Sequence, residues 1–160
     1  MTVSTILITD DLQRVLNLAA RQTSNTAPLM RLIRAQMLSQ TQQNFRAQGR
    51  PKWKPLAAST IKSYERLGIS TAGLLRRSNS LYDSIQTFSD MNSATISAGG
   101  GNQSGAYARI QHFGGMAGKN RKVKIPARPY LPIDKDGNLQ NEAVEGLHQV
   151  TMTYLQRSFR

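Results

Sequence analysis

From Pro28 to Gly49 apolar side chains recur every three or four residues, at Leu29, Met30, Ile33, Met37, Leu38 and Phe45, with Thr41 completing the stripe. That period is helical. It predicts a helix opened by Pro28, whose missing N–H is harmless in a first turn, and stopped by Gly49. The other face carries Arg31, Arg34, Gln36, Gln40, Gln42, Gln43, Arg46 and Gln48, a glutamine-rich surface that suits solvent or a hydrogen-bonding subunit contact equally well. Leu12, Val15, Leu16 and Ala19 predict an earlier helix, capped by Thr9 or Asp10 and fading at Thr23-Ser24-Asn25. A short strand is expected before it, in Thr2–Thr9. Val144, Leu147, His148, Thr151, Leu155 and Phe159 predict a last helix from about Leu139 to Phe159.

The middle of the chain is more broken. Arg50-Pro51-Lys52-Trp53-Lys54-Pro55-Leu56 cannot be helical, because each proline restricts itself and its predecessor. Short helices are expected from Ser59-Thr60 through Tyr64 and Leu67 to a stop at Gly68, and over Asn79–Ser84. Ile85–Ser89 and Ala94–Ala98, joined by Asp90-Met91-Asn92-Ser93, read as a hairpin. Gly99–Gly105 reads as a flexible loop, Ala106–Phe113 as a helical turn or two, Gly114–Lys122 as a glycine-and-lysine loop, and Val123–Ile125 as a strand. Pro126, Pro129 and Pro132 then stiffen an extended arm that could present Tyr130 and Leu131 to a neighbour. The sum is an α+β fold: long N-terminal and C-terminal helices on a small, mostly antiparallel sheet, with long loops and a Pro-rich arm, in one domain spanning 1–160.

Charge changes this picture. The 160 residues carry 21 Lys and Arg against 9 Asp and Glu, a formal net charge of +12, and no cysteine. The absence of thiols excludes disulfides, thiolate metal sites and thiol nucleophiles. The positive excess is segmental: residues 31–77 hold ten basic side chains against Glu65 alone, and residues 105–130 hold six against none. Such a surface calls for an anionic partner, nucleic acid or acidic protein. The only apolar run at the N-terminus, Ile6-Leu7-Ile8, is too short for a signal-peptide core or a spanning helix, so a non-membrane protein made without export is expected.

No constellation supports catalysis. Gly118-Lys119 resembles the end of a phosphate-binding loop, but Phe113 stands where its first glycine belongs and Asn120 where magnesium needs Ser or Thr. Asp134-Lys135-Asp136-Gly137-Asn138, with Glu145 beyond, lacks the glycine a calcium loop requires at Leu139, and reads as a turn and helix cap. His112 and His148 have no ligand partners at metal-binding spacing, and no Gly-x-Ser-x-Gly elbow occurs. The expectation is a protein without enzymatic activity, cofactor or metal.

Four spaced segments carry a resemblance. They are Asn44-Phe45 with Gly49-Arg50-Pro51, Trp53-Lys54-Pro55-Leu56 and Thr60; Leu75 with Asn79-Ser80-Leu81 and Ser84-Ile85; Tyr107-Ala108, Ile110 and Gln111-His112-Phe113-Gly114-Gly115; and Ile125-Pro126-Ala127-Arg128-Pro129-Tyr130-Leu131. In this order, over residues 29–133, the chain resembles the phage virion morphogenesis family. Gln111-His112 reverses the family's usual order, and Pro132 stands where a glycine is common. The resemblance implies a structural virion protein acting in tail completion and head–tail joining. It implies a location at the virion neck, and in the host cytoplasm during assembly. The expected partners are further copies in a ring, taken as a hexamer, together with the tail terminator or tail tube, head connector or neck proteins, and non-specific contact with packaged DNA. Arg50, Lys52, Trp53, Lys54, Lys119, Arg121, Lys122, Lys124, Arg128, Tyr130 and Leu131 are the candidate interface residues, although Trp53, held between Pro51 and Pro55, reads more readily as a core plug than as an interface anchor, and Phe113, Gly114 and Gly115 form a structural turn. The competing reading is a small basic DNA-binding protein of the cytosol.

Overall fold

A computed structural model describes residues 10–22, 25–71, 73–100 and 104–158. The predicted strand in Thr2–Thr9, the Thr9 cap and Phe159 lie outside them. In chain order the elements are helices α1 (Asp10–Gln22), α2 (Ala27–Ala47), α3 (Ala58–Arg66) and α4 (Ser80–Asp83), strands β1 (Gln86–Ser89) and β2 (Ala94–Ser97), helix α5 (Ser104–Phe113), strand β3 (Gly115–Ala117), a 3₁₀ turn (Lys119–Arg121), strand β4 (Val123–Ile125) and helix α6 (Asn141–Ser158). Among the described residues the fold is α+β with two small sheets, β1–β2 and β3–β4. Among the described residues no helix is long and apolar enough to cross a membrane.

The chain forms two compact units, each assembled from separated segments. The first takes residues 1–41, 87–96 and 132–160, and the second 42–86 and 97–131. Helix α2 contributes its first part to one and its last turns to the other.

The core of the first unit is aliphatic and helical. Leu12, Met37 and Leu147 bury together with Ile96 of β2 against them, and Ala19, Leu29 and Leu155 form a second cluster. These are the stripes the helical period selected. Not all of the glutamine-rich face of α2 is the solvent or subunit surface expected of it: Gln40 is buried, and Gln36 and Gln40 lie over Gly146 of α6. A Cβ at Gly146 would stand 2.9 Å from Gln36 Cδ, so the missing side chain lets the two amides approach. The segment before α6 is the turn its sequence predicts. Asp134 accepts hydrogen bonds from the Asp136 and Asn138 amides and the Asn138 side chain, and Ile133 bridges Leu139.

The core of the second unit is aromatic. Phe45, from the end of α2, meets Trp53 edge-on at 5.8 Å, Tyr82 edge-on at 5.1 Å and Tyr130 tilted at 5.6 Å. Leu81 and Ala108 complete the cluster. Helix α2 ends as its sequence requires, with Gln48 and Gly49 both at positive φ. A Cβ at Gly49 would lie 2.6 Å from the Pro51 carbonyl oxygen and from Trp53 Cγ, so only glycine lets the chain turn back under the indole.

Candidate assembly surface

The segments that carried the resemblance converge in the second unit. Arg128 is buried, and its guanidinium donates to the carbonyl oxygens of Lys54 (3.0 Å) and Pro55 (3.2 Å). The indole Nε1–H of Trp53 donates to the Pro129 carbonyl at 3.2 Å. Asn44 Nδ2 donates to the Tyr130 carbonyl, and the Tyr130 hydroxyl donates to the Ala108 carbonyl. The Arg128 amide donates to the Gln111 carbonyl, and His112 packs edge-on against Tyr130 with ring centroids 4.9 Å apart. A proline-rich loop and an arm without regular structure are thereby stitched to α2 and α5. Their backbone carbonyls, which no ladder satisfies, take partners from buried side chains.

This arrangement corrects the reading of the arm. Tyr130, expected to be presented to a neighbour, is only 2% exposed, and its burial raises the hydroxyl pKa far above the usual tyrosine value. Arg128 is also internal, and burial lowers its guanidinium pKa, whereas Trp53 takes the core place favoured for it. Leu131 packs partly against the same cluster. Arg50 is half-buried, donating to Asn44 Oδ1 at 2.9 Å and Gln43 Oε1 at 3.1 Å, and the Arg50–Pro51 peptide is cis. Of the loop's cations, Lys52 and Lys54 are exposed, Lys52 Nζ donating to the Ala47 carbonyl.

The remaining candidates lie on one element. Residues 114–122, read as a loop, instead begin with strand β3, which pairs antiparallel with β4 as Gly115 to Ile125, Met116 to Lys124 and Ala117 to Val123. The period of two is too short here to show in sequence. Gly114 aims the ribbon: its φ is +74°, and a Cβ there would lie 2.8 Å from the Ala127 amide nitrogen and 3.0 Å from the Ile125 carbonyl oxygen. Phe113 packs on His112 at 4.4 Å, so the structural turn is anchored in the aromatic core. The tip holds Asn120 and Arg121 at positive φ, 59° and 51°, a conformation asparagine tolerates and arginine does not favour.

From Gly115 to Lys124 every residue but Ala117 is exposed, including Lys119, Arg121, Lys122 and Lys124. Met116 and Val123, 48% and 54% exposed, set apolar surface among these cations. Elsewhere on the same unit Arg77 stands over the Tyr64 ring at 5.2 Å, and the half-exposed Tyr107 has its hydroxyl pKa raised by partial burial and then by Tyr64. Fourteen Lys and Arg belong to this unit against two acids, Glu65 and Asp83, whereas the first unit has seven of each. The net charge of +12 therefore resides entirely in the second unit. Sequence blocks hinted at this segregation, but the assignment of each block to a unit required the fold.

Among the described residues no group of three or more His, Cys, Asp or Glu side chains could hold a metal ion. His112 lies in the aromatic core, and His148 is exposed on α6. What this geometry supplies is a hydrogen-bonded aromatic core beside an exposed, positively charged ribbon.

The sequence profile of the phage virion morphogenesis family matches residues 7–155. The chain belongs to that family. It is also 40% identical over 124 residues to the Mu-like prophage FluMu G protein 2 of Haemophilus influenzae, covering 78% of this chain and 75% of that protein. No solved structure matches it. The chain is thus a structural protein of tailed-phage assembly, of the family that acts in tail completion and head–tail joining. Its family places it with the tail and head–tail assembly proteins of the virion.

Proposed function

We propose that the chain closes a homo-oligomeric ring, with six copies, at the neck where the tail meets the head connector. The whole polypeptide acts as one assembly module in this ring. Cyclic symmetry suits a tail tube, and contacts that repeat and close give rings. The observation that carries the reading is the division of labour in the second unit: family motif residues build its core, while Lys52, Lys54, Lys119, Arg121, Lys122 and Lys124 remain exposed. That surface meets acidic protein surfaces of the ring, the tail terminator or tube, and the connector. Contact with packaged DNA is non-specific and weak, because a channel through which DNA slides should not grip phosphate tightly.

Two measurements test this. Light scattering of the purified protein, alone and with tail tubes, should reveal a closed oligomer; a monomer at every concentration would remove the ring. Electron microscopy of lysates lacking the protein should show filled heads beside unjoined tails, and normal virions would refute the neck assignment.

A further inference from the structure

We infer that the β3–β4 ribbon is one half of a head-to-tail contact between copies of this chain, and that its occupant is the first unit of the neighbouring copy. The inference rests on the ring reading above. The ribbon has the makings of an interface and contains no acidic residue of its own. It carries Lys119, Arg121, Lys122 and Lys124 around exposed Met116 and Val123, and no acidic residue occurs in the sequence from 91 to 133. Apolar side chains amid uniform charge fit a protein surface of opposite sign better than a sugar–phosphate backbone, whose interfaces are polar throughout.

The distribution of charge then selects the partner surface. A contact between two second units would set fourteen cations against fourteen, with two acids on each side. Like-charge juxtaposition rejects that pairing. The first unit is neutral in sum and carries seven of the nine acids, among them exposed Asp90, Asp134, Asp136, Glu142 and Glu145. A contact joining the second unit of one copy to the first unit of the next is heterologous, and heterologous contacts that close generate rings. Complementary charge also fixes which surfaces meet during assembly.

A charge-swap experiment tests the pairing. One variant reverses the ribbon (Lys119→Glu, Arg121→Glu, Lys122→Glu, Lys124→Glu), and a second reverses the first unit (Asp136→Lys, Glu142→Lys, Glu145→Lys). Asp134 is left alone because its carboxylate holds the turn before α6. Sedimentation at low salt should show each variant alone associating at least tenfold more weakly than the unaltered chain, and an equimolar mixture of the two recovering its assembly. Circular dichroism melts verify that both variants fold, so recovery on mixing cannot be a folding effect. Unweakened association of either variant, or a mixture that stays dissociated, would overturn the inference and leave the ring standing. If the unaltered chain halts at a dimer or never associates, the ring reading falls with it.

Discussion

The two units of this chain are built on opposite principles. The first is helical, aliphatic and neutral in sum; the second is loop-rich, aromatic and carries the entire excess of +12. In the first, stability comes from stripes of Leu, Met and Ala at helical spacing, where any apolar residue of similar volume would serve. In the second, single side chains hold irregular backbone: Arg128 bridges two carbonyls, Trp53 a third, Tyr130 a fourth. Self-repulsion among fourteen cations adds to the demand on that core. The segments that carried the resemblance lie in this second unit, where a particular residue, rather than a class of residues, is needed.

The sharpest way to break this comparison is at Phe45. Phe45→Ala removes one ring from three aromatic contacts and should cost about 3–5 kcal/mol, read as a lower urea midpoint with a red shift of Trp53 emission. A cost below about 1 kcal/mol would show that the aromatic cluster does not dominate the second unit. Gly114→Ala comes next. Positive φ and two backbone atoms within about 3 Å of the new Cβ should cost about 2–3 kcal/mol. In the first unit, Gly146→Ala should cost less, because the obstructing atoms are glutamine side-chain ends and alanine recovers up to about 1 kcal/mol of helix propensity. Thermal melts of the two variants should rank in that order.

Arg128→Lys keeps the charge and loses the fork, so one of the Lys54 and Pro55 carbonyls goes without its donor, at about 1–3 kcal/mol. The same urea titration measures it. pH separates the units in another way. The folded pKa of Tyr130 is raised, so the stability it contributes is complete below the unfolded value near pH 10 and is lost as pH rises above it. In the first unit, hydrogen bonds from Asn92 and Ser93 lower the Asp90 pKa, and those from Asn138 lower that of Asp134. Their contribution is present above about pH 4 and fades as pH falls through the lowered folded values. Equilibrium unfolding monitored by Trp53 should therefore show alkaline weakening in wild type and less of it in Tyr130→Phe. The smallest expected effect on stability is that of Lys119, Arg121, Lys122 and Lys124 changed together to Gln. These exposed sites should leave the melt within about 1 kcal/mol of wild type while lowering the yield of joined heads and tails in a mixing assay.

Much of this was legible before folding. The α1, α2 and α6 stripes, the β1–β2 hairpin, the break at residues 50–56 and the turn at Asp134–Asn138 all follow from local rules, since period, proline and turn chemistry act within a few residues. The candidate cations on the ribbon were identifiable as a basic block. Strand β3 was not, because three residues with two small side chains give no alternation to read. Nor could burial of Gln40 be seen, since it depends on a glycine more than a hundred residues away. Trp53, Arg128 and Tyr130 stood out as motif residues, yet the bonds that hold them inside the core span 73 to 76 residues for the first two and 22 for the third.

Composition and order along the chain are enough to establish the helices, the family and an uncompensated charge of +12. Tertiary packing settled which part of the molecule bears that charge and which motif residues face inward. The reason is physical: local spacing encodes the shape of a segment, whereas burial and charge segregation arise when distant segments compete for the same interior.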